Sequence, residues 1–146
     1  MNALKAFARI FVLVTGIIWS GYGVAVLFYP EIISTITGIG IDNWPARLEV
    51  QAWYLVTEVA LGMLSWFAFK NPQRYLRITL LIWLVAFTQL VLFRFIGTWY
   101  HNGYFDIRVG AAHLPYSYHI ATAWFYELPS MLIFAFLWLK RDTIAP

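Results

Sequence analysis

The sequence predicts an all-α integral membrane protein: a four-helix transmembrane bundle with two long outer loops. Hydrophobic residues make up 62% of its 146 residues and charged residues 12%, whereas soluble domains are typically about 45–50% apolar and about 25% charged. Four apolar stretches are each about 20 residues long, the length that crosses a hydrocarbon core of about 30 Å. Aromatic residues account for 20% of the chain, with eight Trp, as expected for a surface that meets the membrane interface.

The predicted spans cover about residues 7–28, 48–69, 75–97 and 119–139, within a single domain over residues 1–146. Because lipid offers a backbone no hydrogen-bond partners, each span is expected to be a helix. The short polar connection at residues 70–74 predicts that the second and third helices are antiparallel neighbours. The outer loops, about residues 29–47 and 98–118, are longer. Residues 31–38 have an amphipathic pattern that favours a short interfacial helix.

The distribution of Lys and Arg predicts the orientation of the spans. With four spans, both termini and the connection at residues 70–74 share one side of the membrane. That side carries most of the basic residues: Lys5, Arg9, Lys70, Arg74, Arg77, Lys140 and Arg141. The other side has Arg47 and Arg108, with Arg94 near it. Since cytoplasmic segments carry the excess of Lys and Arg, we expect a multi-pass protein of the bacterial inner (cytoplasmic) membrane with both termini in the cytoplasm.

Composition excludes several function classes. The chain has no Cys, which excludes disulfides, thiolate nucleophiles and Cys-based metal or iron–sulfur sites. Its net charge is +3, and the basic residues are scattered, so nucleic acid is not an expected partner. The histidines, His101, His113 and His119, have a spacing that matches no compact metal motif. We therefore predict no metal site and no cofactor.

Charged residues within or beside the spans are the strongest indication of a site. They are Glu49, Glu58, Arg94 and Glu127, and charges at membrane depth usually face the protein interior and have a partner. At 1.5 Å per residue, Glu58 lies roughly 15 Å from the outer end of its span, Glu127 roughly 12 Å and Arg94 roughly 5 Å. Because an arginine side chain extends further inward, Arg94 is expected within hydrogen-bonding reach of Glu58 or Glu127.

Two interpretations of this cluster are open. In the functional one, Glu58 and Glu127 flank a pocket that opens to the outer leaflet and act as its acid–base, or catalytic, residues. Arg94 pairs with one carboxylate, which leaves the other carboxyl to bind a proton. The predicted ligand-binding residues are Arg94, Tyr54, Glu49, Tyr126 and Gln89. In the structural interpretation the cluster joins helices, with Gln89 as an interhelical hydrogen-bonding residue and Tyr54 as an interfacial one.

Two further features concern helix packing. Gly16, Ser20 and Gly23 give the first helix a small face, which allows close approach of a second helix. That face serves either packing within the chain or homo-oligomerisation. Pro129 cannot donate a backbone hydrogen bond and predicts a kink in the fourth helix close to Glu127.

The order of these motifs resembles a family of small bacterial four-helix membrane proteins that is known only as a domain of unknown function. The motifs are a Tyr-Pro-Glu at residues 29–31, Arg47-x-Glu49, Glu58-x-x-x-Gly62, Arg94-x-x-Gly97 and Glu127-Leu-Pro129. The resemblance covers nearly the whole chain and implies a fold without an activity. The chain departs from the pattern at residues 54–56, Tyr-Leu-Val, where such families often have a glycine pair after the tyrosine. A more distant similarity, in arrangement alone, is to emopamil-binding-protein-like bundles, which place carboxylates and aromatic residues around a lipid-sized pocket.

Two functions fit these observations. The first is a binding protein with an outward-facing pocket lined by Arg, Glu and Tyr, whose ligand is a small hydrophobic or lipid-like molecule. Such a pocket either binds its ligand alone or also performs acid–base chemistry on it. The second is a non-catalytic accessory subunit of a larger membrane complex. The expected partners are accordingly membrane lipid, a hydrophobic small molecule, and either further copies of this chain or other subunits.

Overall fold

The computed structural model describes residues 3–32, 43–100, 107–109, 112–114 and 123–145. These residues are mostly helical: α1 (Ala3–Phe28), α2 (Trp44–Lys70), α3 (Pro72–Tyr100), α4 (Leu128–Leu139) and the short α5 (Arg141–Ile144). A π-helical turn, Ala123–Glu127, leads directly into α4. The antiparallel strands β1 (Ile107–Val109) and β2 (Ala112–Leu114) form a small hairpin in the segment predicted as a long loop. The predicted helical fold is confirmed for this part of the chain.

Three of the described helices are long and apolar enough to cross a membrane, judged by length and composition: Ala3–Phe28, Arg47–Lys70 and Pro72–Ile96. Ala123–Leu139 is a shorter apolar helix. The first residues of the fourth predicted span, and most of the amphipathic segment at residues 31–38, lie outside the described residues. Helices α1, α2 and α3 begin before the corresponding predicted spans, for α2 and α3 partly because Pro45 and Pro72 sit in first turns, where a missing N–H costs no hydrogen bond.

Small residues bring α1 and α2 together along the most extensive helix contact of the described chain. Gly16 and Gly23 are buried. A Cβ at Gly16 would overlap Ser65 of α2, and one at Gly23 would lie 2.7 Å from the Glu58 Cβ. Gly21, by contrast, has no such neighbour within 4 Å. The small face predicted from the sequence is therefore occupied by α2 of the same chain.

An aromatic core joins α3 and α4. Trp83, Phe87 and Phe134 are fully buried, and the ring of Phe134 stacks on both of the others, with centroids 6.1 Å from Trp83 and 5.6 Å from Phe87. The Trp83 indole Nε1 donates a 2.9 Å hydrogen bond to Ser65 Oγ, which ties this core to α2. The polar edge of the tryptophan is thus satisfied while its ring fills the interior.

Asn71 alone separates α2 from α3. Its backbone N–H closes α2 by donating to the Phe67 carbonyl at 2.8 Å, and its own carbonyl accepts from the Tyr75 N–H at 3.1 Å. The two helices also pack against each other. Helices that touch after so short a turn run antiparallel, so the predicted neighbour relation is confirmed.

Basic side chains connect helix ends at one end of the molecule. Arg9 near the start of α1 donates from Nη2 to the Phe69 carbonyl at the end of α2, at 2.7 Å. Arg77 near the start of α3 forms a 2.9 Å ion pair with Asp142 of α5. The start of α1, the end of α2, the start of α3 and the C-terminal helix therefore lie together. This end carries the basic residues on which the predicted orientation rests.

Candidate functional site

Polar side chains from several segments meet in the half of the molecule away from this basic end. Tyr22 comes from α1, Tyr54 and Glu58 from α2, Arg94 from α3 and Glu127 from the π-helical turn. The rings of Tyr22 and Tyr54 meet edge to face with centroids 5.9 Å apart. Tyr22 is also close enough to interact electrostatically with Glu58 and Arg94. These residues meet because neighbouring helices alternate in direction, which brings the end of α1, the first half of α2 and the end of α3 to one level.

Arg94 pairs with Glu127. The distance from Arg94 Nε to Glu127 Oε2 is 2.6 Å, and the two side chains are 14% and 5% exposed. The prediction that Arg94 reaches one of the two carboxylates is therefore confirmed. Glu127 is the partner because its π-helical turn packs directly against α3. Turns of this kind are frequent at functional sites, and this one ends where Pro129 opens α4, in the region of the predicted kink.

Glu58 has a different environment. It is 5% exposed, and its Oε2 atom is buried without a hydrogen-bond partner among the described residues. The contact with Ser20 of α1 does not change this, because Ser20 Oγ donates to the Glu58 backbone carbonyl, at 3.3 Å, and not to the carboxyl. The hydroxyl of Tyr22 is likewise buried without a partner in that part of the chain. Each such group costs about 1–3 kcal/mol if it stays unsatisfied.

Aromatic rings border Glu58 and Tyr22. The Trp19 and Tyr22 rings lie 6.5 Å apart, and the Trp19 indole Nε1 donates a 2.9 Å hydrogen bond to the Tyr126 hydroxyl. Tyr126 in turn packs edge to face on Phe87. The site thus brings together a buried carboxyl, a Tyr22 hydroxyl with no hydrogen-bond partner among the described residues, and several aromatic rings.

Five of the predicted site residues lie together in this half of the molecule: Tyr54, Glu58, Arg94, Tyr126 and Glu127. Two further residues of the site, Trp19 and Tyr22, were not predicted. A usable signal was present, because both residues flank the small face of α1 and so lie beside a close helix contact: Tyr22 meets Tyr54 of α2, whereas Trp19 meets Trp83 and Phe87 of α3.

Glu49 and Gln89 were also nominated, and the structure does not bring them to the site. Glu49 is exposed on α2. It precedes Glu58 by about two and a half helical turns, which places it on the opposite side of the helix. Gln89 is exposed on α3, where it lines a groove of about 530 Å³ together with apolar residues that include Val85 and Leu92.

The structure describes no group of three or more His, Cys, Asp or Glu residues that would hold a metal ion within its described ranges. His101 and His119 lie outside these ranges.

Comparisons of the chain with protein-family models, with curated proteins and with solved structures found no match. The resemblance to a four-helix family of unknown function stays a prediction.

Proposed function

We propose that the chain is a four-helix transmembrane bundle of a bacterial inner membrane, with both termini in the cytoplasm. Three helices of sufficient length and apolarity support membrane insertion. Many large apolar side chains also face outward, among them Ile17 at 62% exposure, Trp53 at 72% and Phe125 at 85%. Lipid is the solvent in which such a surface is stable. The basic end formed by α1, α2, α3 and α5 supports the orientation.

Within this bundle, the proposed function is to bind a small hydrophobic or lipid-like ligand that carries a hydrogen-bonding head group. One observation carries the proposal: Glu58 Oε2 is buried without a hydrogen-bond partner in the described chain, and Glu58 is in none of its ion pairs, whereas Arg94 is paired with Glu127. A buried carboxyl without a cation is costly as an anion. A head group that hydrogen-bonds to Glu58 and Tyr22 would remove this cost, and the rings of Trp19 and Tyr54 would cover the apolar part.

The same arrangement assigns separate roles to the two carboxyls if the site also does acid–base chemistry. Glu58 is the residue that would exchange a proton with the ligand, because it takes part in none of the ion pairs among the described residues. Glu127 would hold Arg94 in place as a fixed counter-ion. Tyr22 would act as a second donor or acceptor at the head group. The sequence-based assignment of Glu127 as a catalytic residue thus becomes a positioning role in this proposal.

Co-purification tests the proposal. The full chain, purified in a mild nonionic detergent, is expected to retain a hydrophobic small molecule that native mass spectrometry detects as a discrete mass increment. Glu58→Gln should lose that increment, because an amide offers different hydrogen bonds and cannot carry the same charge. Glu49→Gln is the matched control: it makes the same chemical change on the opposite, exposed side of α2.

Two outcomes would contradict ligand binding at Glu58. One is a wild-type chain that carries no bound molecule in vesicles or in detergent. The other is equal retention by wild type and Glu58→Gln, which would place any bound molecule elsewhere on the protein.

A further inference from the structure

A heptad stripe runs along the outward face of α3. Its positions are Ile78, Ile82, Val85, Gln89, Leu92 and Ile96, separated by alternating steps of four and three residues. Val85 is 56% exposed, Leu92 52% and Ile96 55%, and Gln89 is exposed as well. Alternating steps of this kind are the pattern with which one helix packs against another as knobs into holes.

The stripe does not face the interior of its own chain. The buried residues of α3, such as Trp83 and Phe87, lie on other positions of the helix and face α1 and α4. The outward face carries the groove of about 530 Å³ lined by Leu84, Val85, Gln89 and their neighbours. All residues that line this groove belong to α3, so within the described chain no other element lines it.

Gln89 distinguishes this face from an ordinary lipid-facing one. It is the single polar residue of the stripe, and in a bilayer its amide would stand in hydrocarbon, where an unsatisfied polar group is costly. A lone polar residue at a core position of a helix seam fixes both register and oligomeric state. In membranes, side-chain amides join helices through hydrogen bonds.

We propose that α3 forms a symmetric interface with a second copy of this chain, closed by reciprocal hydrogen bonds between the two Gln89 amides. Membrane insertion would fix the geometry of such a dimer. Copies of one chain share one orientation, so two α3 helices that meet around a two-fold axis run parallel, and each residue lies opposite its own copy. An amide is both donor and acceptor and can pair with itself, and the stripe carries no charge that would repel its copy.

This interface would leave the ligand site untouched. Glu58 belongs to α2 and the interior, whereas Gln89 faces outward on α3. The proposal depends on membrane insertion and not on ligand binding at Glu58, so it stands or falls separately.

Disulfide cross-linking in membranes tests the interface, because the chain contains no Cys. Single substitutions Val85→Cys and Leu92→Cys place a thiol on the stripe, and Ile17→Cys, at 62% exposure on α1, is the control. On oxidation we expect the two stripe variants to form a product of twice the 17.0 kDa chain mass, and the control to stay a monomer. Cross-linking of all three variants alike would indicate random collision and overturn the proposal.

The mass of the product also identifies the occupant of the groove. A product with a different protein would mean that the face binds a larger subunit, which would overturn the second-copy proposal and support the accessory-subunit function. Monomer in both stripe variants would overturn it as well.

Gln89→Leu tests the amide itself. It should raise the dimer dissociation constant in detergent by about five- to thirtyfold, the range measured for interhelical hydrogen bonds in model peptides, while Gln89→Asn should retain part of the affinity. If the dimer dissociation constant of Gln89→Leu equalled that of the wild type, the proposed interface closed by Gln89 hydrogen bonds would be wrong. If this variant fails to fold, cross-linking through Val85→Cys in the otherwise unchanged chain still decides the question.

Discussion

Arg94 Nε lies 2.6 Å from Glu127 Oε2, in an interior where Glu58, a second buried carboxyl, has no hydrogen-bond partner for its Oε2 among the described residues. Arg94 thus forms an ion pair with Glu127 and not with Glu58. The pair joins the π-helical turn to α3, and Glu58 takes no part in it. The first prediction follows from this division.

Arg94→Leu should destabilise the protein by about 3–5 kcal/mol, because it leaves the Glu127 carboxylate buried without its cation. Arg94→Leu combined with Glu127→Leu should be less destabilised than Arg94→Leu alone, since both charges are then removed. Unfolding in mixed detergent micelles, followed by circular dichroism, measures both. If the double variant were the less stable of the two, the ion pair would not be the reason for the loss.

The matched control is the exposed ion pair between Arg47 and Glu31, whose side chains are 42% and 58% exposed. Arg47→Leu should cost about 0–1 kcal/mol, because water screens an exposed pair. A cost as large as that of Arg94→Leu would mean that charge removal in general, and not burial, destabilises the protein.

Gly62→Ala should destabilise the contact between α1 and α2. A Cβ at Gly62 would overlap Ser20, and it would come within 3.0 Å of the Gly16 carbonyl, so the helices must separate at a cost of about 1–3 kcal/mol. Gly21→Ala is the control, because Gly21 has no such neighbour within 4 Å. That variant should be neutral or more stable by up to about 1 kcal/mol, the helix propensity difference between the two residues. Equal effects of the two substitutions would argue against close packing at Gly62.

The position of each residue along its helix could be predicted from the sequence, whereas the direction in which each side chain faces could be predicted only in part. Counting residues from helix ends placed Glu58, Arg94 and Glu127 at compatible depths, and the ion pair of Arg94 with Glu127 followed. Which carboxylate Arg94 selects depends on the π-helical turn and on how each helix is rotated, and neither is encoded in local composition.

Rotation within one helix could have been computed from the sequence. Glu49 and Glu58 lie about two and a half turns apart and therefore face opposite sides of α2, which separates Glu49 from the site. By the same reasoning, Gln89 follows the buried Phe87 by two residues, which places it about 200° further around α3, on the opposite side of that helix. Trp19 and Tyr22 were missed for another reason: aromatic residues are so frequent in this chain that the two carried no signal apart from their place beside the small face of α1.

Reporter fusions test the proposed orientation. Fusions at Asn71 and after Pro146 should report the cytoplasm, and a fusion at Asn102 should report the opposite side, because the basic end of the molecule is expected to remain inside. The measurement is the activity ratio of a reporter that works only in the cytoplasm to one that works only outside it. A cytoplasmic signal at Asn102 would rule out the four-span orientation.

Two tyrosine substitutions separate ligand binding from stability. Tyr126→Phe removes the hydroxyl that accepts the 2.9 Å hydrogen bond from Trp19 Nε1, so it should lower the free energy of unfolding by about 0.5–1.5 kcal/mol. Tyr22→Phe removes a buried hydroxyl without a partner in the described chain, so the stability of the ligand-free protein should stay the same or rise. Retention of a co-purified ligand should nevertheless fall in Tyr22→Phe, because the ligand's head group would lose a hydrogen-bond partner beside Glu58.

The two tyrosine variants are compared by thermal unfolding after delipidation and by native mass spectrometry before it. If Tyr22→Phe destabilised the ligand-free protein as much as Tyr126→Phe, the Tyr22 hydroxyl would serve the fold, and its place in the proposed ligand site would be wrong.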